Sequence, residues 1–215
     1  MDEAHERMLN FFNKSENSER PLSWFEDVYS ASKKDRAMVP WDWMEPHPFL
    51  TDWEKQTDLS GKALVVGSGL GEDAAFLCGK GWKVTAFDIS ESAVSWAKEI
   101  HPNCEIEWFV SDLQDPPGKW EGAFDLVLEV HILQAIPSEI RQRAATRLSS
   151  LVTKGGYLVC IGRLDDGMEA TPGPPWPLSR PFIESIGIGL ELVEFHASMI
   201  PGKESTRYRA TWTNR

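Results

Sequence analysis

Three closely spaced glycines, in Gly67-Ser68-Gly69-Leu70-Gly71, follow a short β-branched stretch at 63–66 and lead into Glu72-Asp73 at the start of a helical pattern. Glycine lets a chain turn tightly and approach a ligand where a Cβ would collide, and the free N–H groups of a helix start can receive an anion. Two acids stand where further strands should end. Asp88 closes the stretch 82–88, 21 residues past Gly67, where a carboxylate can accept both hydroxyls of a ribose. Asp112 follows the stretch 106–110, in Val110-Ser111-Asp112-Leu113. Either acid alone could do no more than cap a helix, and the glycines alone could be a bare strand-to-helix turn. Three features in register along one sheet edge point to a nucleoside.

The glycine spacing selects among nucleotides. A dinucleotide fingerprint needs a small residue at its sixth position, and here that position is Glu72. NAD therefore fits poorly, and no second domain remains to hold a hydride acceptor. No Lys-Ser/Thr pair follows the glycines, so a phosphate-binding P-loop is excluded.

These residues need a scaffold, and from Gly61 onward the chain alternates apolar strands with helices. Strands are expected at 63–66, 82–88, 106–110, 123–129, 157–161, 190–196 and 206–212, with helices at 72–79, 90–100, from 137 onward and at 181–186. The stretch 123–129, AFDLVLE, is apolar on both faces, as a central strand covered on each side should be. Gly155-Gly156 separates the fifth strand from the helix before it. The fold class expected is α/β: a Rossmann-like, doubly wound, mostly parallel seven-stranded sheet. Residues 1–60 are charged, aromatic and studded with proline, with helical patterning at 21–32, and read as an N-terminal helical and aromatic flap on a core of 61–215.

The chain has 215 residues, with 22 Lys and Arg against 33 Asp and Glu, a net charge of −11. Affinity for a nucleic-acid backbone comes largely from basic side chains, so no nucleic-acid partner is expected. No apolar run reaches a membrane span and the acidic start is unlike a signal peptide, which together suggest a cytoplasmic protein with no membrane partner. Cys78, Cys104 and Cys160 form no C-x-x-C pair and read as buried thiols, and the five histidines have no ligand spacing, so no metal is expected. Oligomeric state is left open.

The set of a glycine turn after the first strand, an acidic tip on the second and Ser-Asp-Leu after the third resembles the cofactor core of class I S-adenosylmethionine-dependent methyltransferases. More narrowly, Pro40-Trp41-Asp42-Trp43-Met44-Glu45-Pro46-His47-Pro48 is similar to the P-W-D-x-G-x-P-x-P preface of the thiopurine methyltransferase-like group, which includes thiol and halide methyltransferases. Met44 stands where that pattern has glycine. The resemblance implies S-adenosyl-L-methionine as cofactor and a small-molecule acceptor. It would set Gly67, Ser68 and Gly69 against the methionine part, Asp88 on the ribose, Ile89 on adenine, Asp112 on the adenine amino group and Glu129 near the methionine amine, with Leu113 also in the cofactor site. Trp41, with Trp24 or Phe25 and Tyr29, would cover the cofactor, whose sulfonium favours aromatic faces.

On the acceptor side, His131 lies at the mouth of the fourth strand, where it could take a proton from an alcohol or amine or simply bond to backbone. Trp43 and Trp176 are candidate acceptor contacts, and Asp165-Asp166 could join them or be a solvated loop pair. The reaction expected is direct transfer to a thiol or similarly soft nucleophile, without metal or covalent enzyme intermediate. Two rivals are a non-catalytic S-adenosylmethionine-binding sensor or partner protein and an NAD-dependent oxidoreductase.

Overall fold

A computed structural model describes residues 3–167 and 173–215. Seven strands form one sheet: β1 (Lys62–Val66), β2 (Lys83–Asp88), β3 (Ile106–Val110), β4 (Phe124–Val130), β5 (Val152–Arg163), β6 (Glu191–Met199) and β7 (Thr206–Thr213). Their order is β3-β2-β1-β4-β5-β7-β6. β1 to β5 run parallel, and β7 lies antiparallel between β5 and β6. The chain winds outward from β1 through β2 to β3, then returns to place β4 on the other side of β1. The crevice beyond the carboxyl ends of β1 and β4 is the switch point at which such sheets bind ligands.

Alternation along the central strands divides the core. Leu64, Val66, Val127, Leu158 and Cys160 face one layer with α6 (Ser138–Ser150) and α7 (Arg180–Ile186), while Ala63, Val65, Leu126, Leu128, Val159 and Ile161 face the other with α3 (Pro48–Lys55) and α4 (Glu72–Gly79). Both faces of β1 and β4 are thus dry, as their apolar sequences require. Helix starts follow local chemistry. Ser90 accepts from the Ala93 N–H at 3.0 Å to open α5 (Glu91–Ile100), and His47 Nδ1 accepts from the Phe49 N–H at 3.1 Å, with Pro48 at the first turn of α3.

Before α3, the N-terminal residues form α1 (Glu3–Ser15), α2 (Trp24–Ser32) and a 3₁₀ turn at Arg36–Met38. α1 was not expected from sequence. It buries Ala4, Met8 and Phe12, spaced four residues apart on one face, and Arg7 ties it down by donating to the Ala31 and Met38 carbonyls. β5 begins at Val152 rather than near 157, because the strand continues through Gly155-Gly156 with a register shift against β4. Of the cysteines, only Cys160 is buried; Cys78 and Cys104 are half-buried. Among the described residues no helix is long and apolar enough to cross a membrane, and no cluster of His, Cys, Asp and Glu could hold a metal ion.

Candidate active site

The glycine turn is held open by backbone conformations that other residues adopt at a penalty. Gly67 has φ +57° and Gly69 φ +53°. A Cβ on Gly67 would overlap the Ile132 side chain, and one on Gly69 would stand 2.9 Å from the Tyr29 hydroxyl. Asp88, buried at the tip of β2, braces the turn: its Oδ2 accepts from the Gly69 N–H and its Oδ1 from the Ser90 N–H, each at 2.9 Å. Burial pushes its carboxyl above the usual range, offset by those backbone donors. A carboxylate oxygen has two lone pairs, so each retains capacity for a hydroxyl. The Ser68 hydroxyl is buried without a partner among the described residues.

Two cavities meet at this turn. The larger, about 310 Å³, holds Trp41, Trp43, Ser68, Gly69 and His131 in its lining, under a roof of Trp24, Phe25 and Tyr29. The smaller, about 50 Å³, is lined by Ile89, Ser111, Asp112 and Leu113. Val66, Gly67, Asp88, Phe25 and Ile132 border both, so the pair forms a bent trough over the switch point. Trp41 Nε1 donates to the Tyr29 hydroxyl at 2.7 Å and meets Trp24 edge to face at 5.8 Å. Glu26 on α2 receives hydrogen bonds from the Ser90 hydroxyl at 2.6 Å and the Ser92 N–H at 3.1 Å, fastening the roof beside Asp88.

Two expected site residues, Glu129 and Trp176, lie apart from the trough walls, and a third, Asp112, lines them with its carboxylate already engaged. Glu129 is fully buried at the end of β4, where its Oε1 accepts from the Ile132 and Leu133 N–H groups at 2.7 and 3.0 Å; burial pushes its carboxyl up to about 7. It therefore supports the wall carrying Ile132 instead of forming it. Trp176 turns away, its ring edge-on to Phe12 at 5.5 Å and under the Arg141 guanidinium at 5.5 Å. Asp112 lines the smaller cavity but already accepts from the Gln114 backbone and side chain. Asp165 and Asp166 are exposed, and the Pro-rich loop expected at 171–177 lies partly outside the described residues.

His131 sits in the left-handed region at φ +65°, a strained conformation for a non-glycine residue. Its ring lies 5.2 Å from that of His47 and 6.2 Å from that of Trp43. Burial first, then the nearby Arg207, holds its imidazole down to about 3, with Arg163 and Lys203 adding to the effect. Burial and His131 hold His47 down to about 2. Both rings are neutral near pH 7. Sequence reasoning missed the cations responsible: Arg163, Lys203 and Arg207 line the same cavity as the glycine turn. They lie at the ends of β5 and β7 and in the loop before β7, and the one local signal is a buried arginine within an apolar strand.

A doubly wound sheet with this strand order, a glycine turn at its switch point and an acid at the tip of β2 defines a class I S-adenosylmethionine-dependent methyltransferase. The model of the thiopurine S-methyltransferase (TPMT) family matches residues 31–198, and the chain belongs to that family. It is similar to a probable thiol methyltransferase 2 of Arabidopsis thaliana, 29% identical over 155 residues, or 71% of this chain and 68% of that one. It is also similar to thiocyanate methyltransferase 1 of Arabidopsis thaliana, 25% identical over 185 residues, 83% and 81% of the two chains. Among solved structures, a protein studied for the conversion of a disulfide bond into a thioacetal group during echinomycin biosynthesis aligns with a TM-score of 0.74 at 22% identity, covering 89% and 91%. The Burkholderia thailandensis 1,6-didemethyltoxoflavin-N1-methyltransferase, solved with 1,6-didemethyltoxoflavin and S-adenosylhomocysteine, aligns at 0.69 and 16%, covering 100% and 91%. The protein is thus a methyltransferase of small molecules that uses S-adenosyl-L-methionine.

Proposed function

We propose that the acceptor is a thiol or a similarly soft nucleophile, methylated directly within the larger cavity. The observation that carries this reading is the set of cations in the cavity lining beside His131, whose imidazole is too weakly basic to take a proton from the acceptor. Moving a proton from a thiol of pKa about 8.5 to an imidazole held near 3 is uphill by roughly 7 kcal/mol. A thiol needs no such base, since several per cent is already thiolate at neutral pH, and the cations favour that anion. An aliphatic amine or alcohol would need the base and would be repelled or left protonated. The names of the two Arabidopsis relatives, thiol and thiocyanate methyltransferases, agree with this choice.

The trough fits the cofactor chemically. The unpartnered Ser68 hydroxyl and the turn at Gly67 and Gly69 suit a methionine moiety, Asp88 has lone pairs for the ribose hydroxyls, and Ile89 and Leu113 flank the narrower slot as apolar faces for adenine. Asp112 would meet the adenine amino group, and Glu129 would act by holding the Ile132 turn. Bound there, S-adenosylmethionine supplies an electrophilic methyl on a cationic sulfur. Trp41, hydrogen-bonded to Tyr29, offers its face to that charge and shuts out water, and Trp43 faces the acceptor. Alignment of nucleophile and methyl can supply on the order of 7 to 11 kcal/mol. Residues 1–60 then work as a lid on the catalytic core of 61–215.

The test is S-adenosylhomocysteine formation with labelled cofactor against thiols, halides, phenols and amines. Labelled thioether is the expected product. Tight cofactor binding with turnover of no acceptor class would instead make the chain a sensor.

A further inference from the structure

Arg163 and Arg207 stand directly opposite each other across the antiparallel β5–β7 ladder. Like charges in that relation destabilise a sheet unless something lies between them. Arg207 is only 3% exposed, and among the described residues its Nε has no partner and its guanidinium donates only to the Ser205 carbonyl and hydroxyl. Among the described residues no carboxylate lies within ion-pair distance of Arg163, Arg207 or Lys203. Two residues further along the same face, Arg209 is equally buried and its Nε likewise lacks a partner, but its terminal nitrogens have a counterion, with Glu194 taking two bonds at 2.8 and 3.0 Å and the Phe49 carbonyl a third at 2.9 Å. The fold evidently can pair a buried arginine here, and leaves Arg207 unpaired where it borders the cavity.

The acids that line the same cavity do not supply the missing charge. Asp42 and Glu72 are bound by Arg36, Asp73 accepts from the His47 N–H, Asp88 braces the glycine turn, and Glu45 is exposed. In a chain of net charge −11, three cations without counterions among the described residues line one cavity. Lys203 completes the group from the rim, its ammonium 4.2 Å from the centre of the Trp43 ring. Three positive charges exceed what a single thiolate or halide would balance.

We infer that the acceptor carries a carboxylate besides its nucleophile, seated between the Arg163 and Arg207 guanidinium groups with Lys203 at the rim: a small mercapto acid. This rests on the methyl-transfer reading above. Two guanidinium forks match the two oxygens of a carboxylate, and a buried arginine regains a counterion on binding. The carboxylate takes no part in the bond change. The thiol loses its proton to solvent, and its sulfur gains the methyl. Burial and its Arg163 neighbour hold Arg207 down to about 10, so it remains charged and ready for an anion at neutral pH.

Two measurements on the full chain test this. Thermal midpoints of the S-adenosylhomocysteine complex should rise with propionate and not with propionamide, and the rise should vanish in Arg163→Gln and Arg207→Gln and persist in part in Arg207→Lys. For methyl transfer, kcat/KM for 3-mercaptopropionate should exceed that for 2-mercaptoethanol by about tenfold or more, a difference of about 1.4 kcal/mol, and the preference should collapse in Arg163→Gln, which keeps a polar side chain at this half-buried position. Equal kcat/KM for the two thiols would overturn the carboxylate seat and leave thiol methylation standing. Thiocyanate preferred over both would overturn it as well, the cations then serving the nucleophile itself. A propionate shift with no thioether from any thiol would support the seat and sink the thiol reading alone.

Discussion

Asp88 uses one carboxylate for two tasks, bracing the glycine turn through Gly69 and Ser90 and facing the trough with its remaining lone pairs. Asp88→Ala should abolish most of the thermal stabilisation given by S-adenosylhomocysteine; an undiminished shift would remove it from the cofactor site. Glu129 offers a test of burial itself. Its folded pKa is raised from 4.5 to about 7, so the stability it contributes is complete below 4.5 and lost as pH rises through about 7. Urea midpoints of Glu129→Gln and the parent at pH 5 and pH 8 should therefore diverge, the variant gaining up to roughly 3 kcal/mol relative to the parent at the higher pH. His131 is neutral across the same range. With a thiol acceptor, log kcat/KM should climb to the thiol's own pKa with no inflection near 6.5, and His131→Asn should lose less than about tenfold, against the 10²–10⁴ of a working base. The glycine turn, Asp88 and the tryptophan preface were legible because their signals are local runs. The Arg163–Arg207 pair was not, since 44 residues of sequence separate it and only the antiparallel register brings it together.

At the scale of elements, six of the seven strands and the helix at 90–100 could be read close to their bounds from composition and turn residues, because each is decided within a few positions. β5 was read short because two glycines usually end a strand, whereas here Gly155 takes φ +80° inside an irregular stretch and pairing with β4 resumes beyond it. α1 was missed because charged residues outnumber its narrow buried stripe. Met44 joins the two kinds of information. It stands where the preface pattern of the family has glycine, and it adopts φ +58° with more than half of its surface exposed. A left-handed conformation costs a non-glycine residue about 1–2 kcal/mol, and the extra unfolded-state freedom of glycine takes back about 0.5–1. Met44→Gly should thus raise stability by about 0.5 kcal/mol, visible as a small increase in thermal midpoint that Met44→Ala does not give. If both variants melt alike, the preface is not under backbone strain.

The whole molecule behaves as a sheet whose switch-point crevice is lined by segments from far along the chain: α2 and the preface, and the cations of β5, β7 and the loop before β7. Such a lining should couple binding to global stability. Ligand at 100 times its dissociation constant adds about 2.7 kcal/mol, and each kcal/mol moves the midpoint by about 2 to 4 °C at this length. S-Adenosylhomocysteine should raise the melting midpoint by roughly 5 to 10 °C and NAD by almost nothing; comparable shifts would reopen the dinucleotide reading. The roof has one further consequence. Trp24, Trp41 and Trp43 border the cavity while Trp53, Trp82, Trp120 and Trp212 lie in dry core. Their emission makes the protein its own optical gauge of occupancy: the core indoles supply a steady background, and the arrival of a cationic sulfur beneath Trp41 should quench the remainder, a dimming that the sulfur-neutral product gives only weakly and that Trp41→Phe erases.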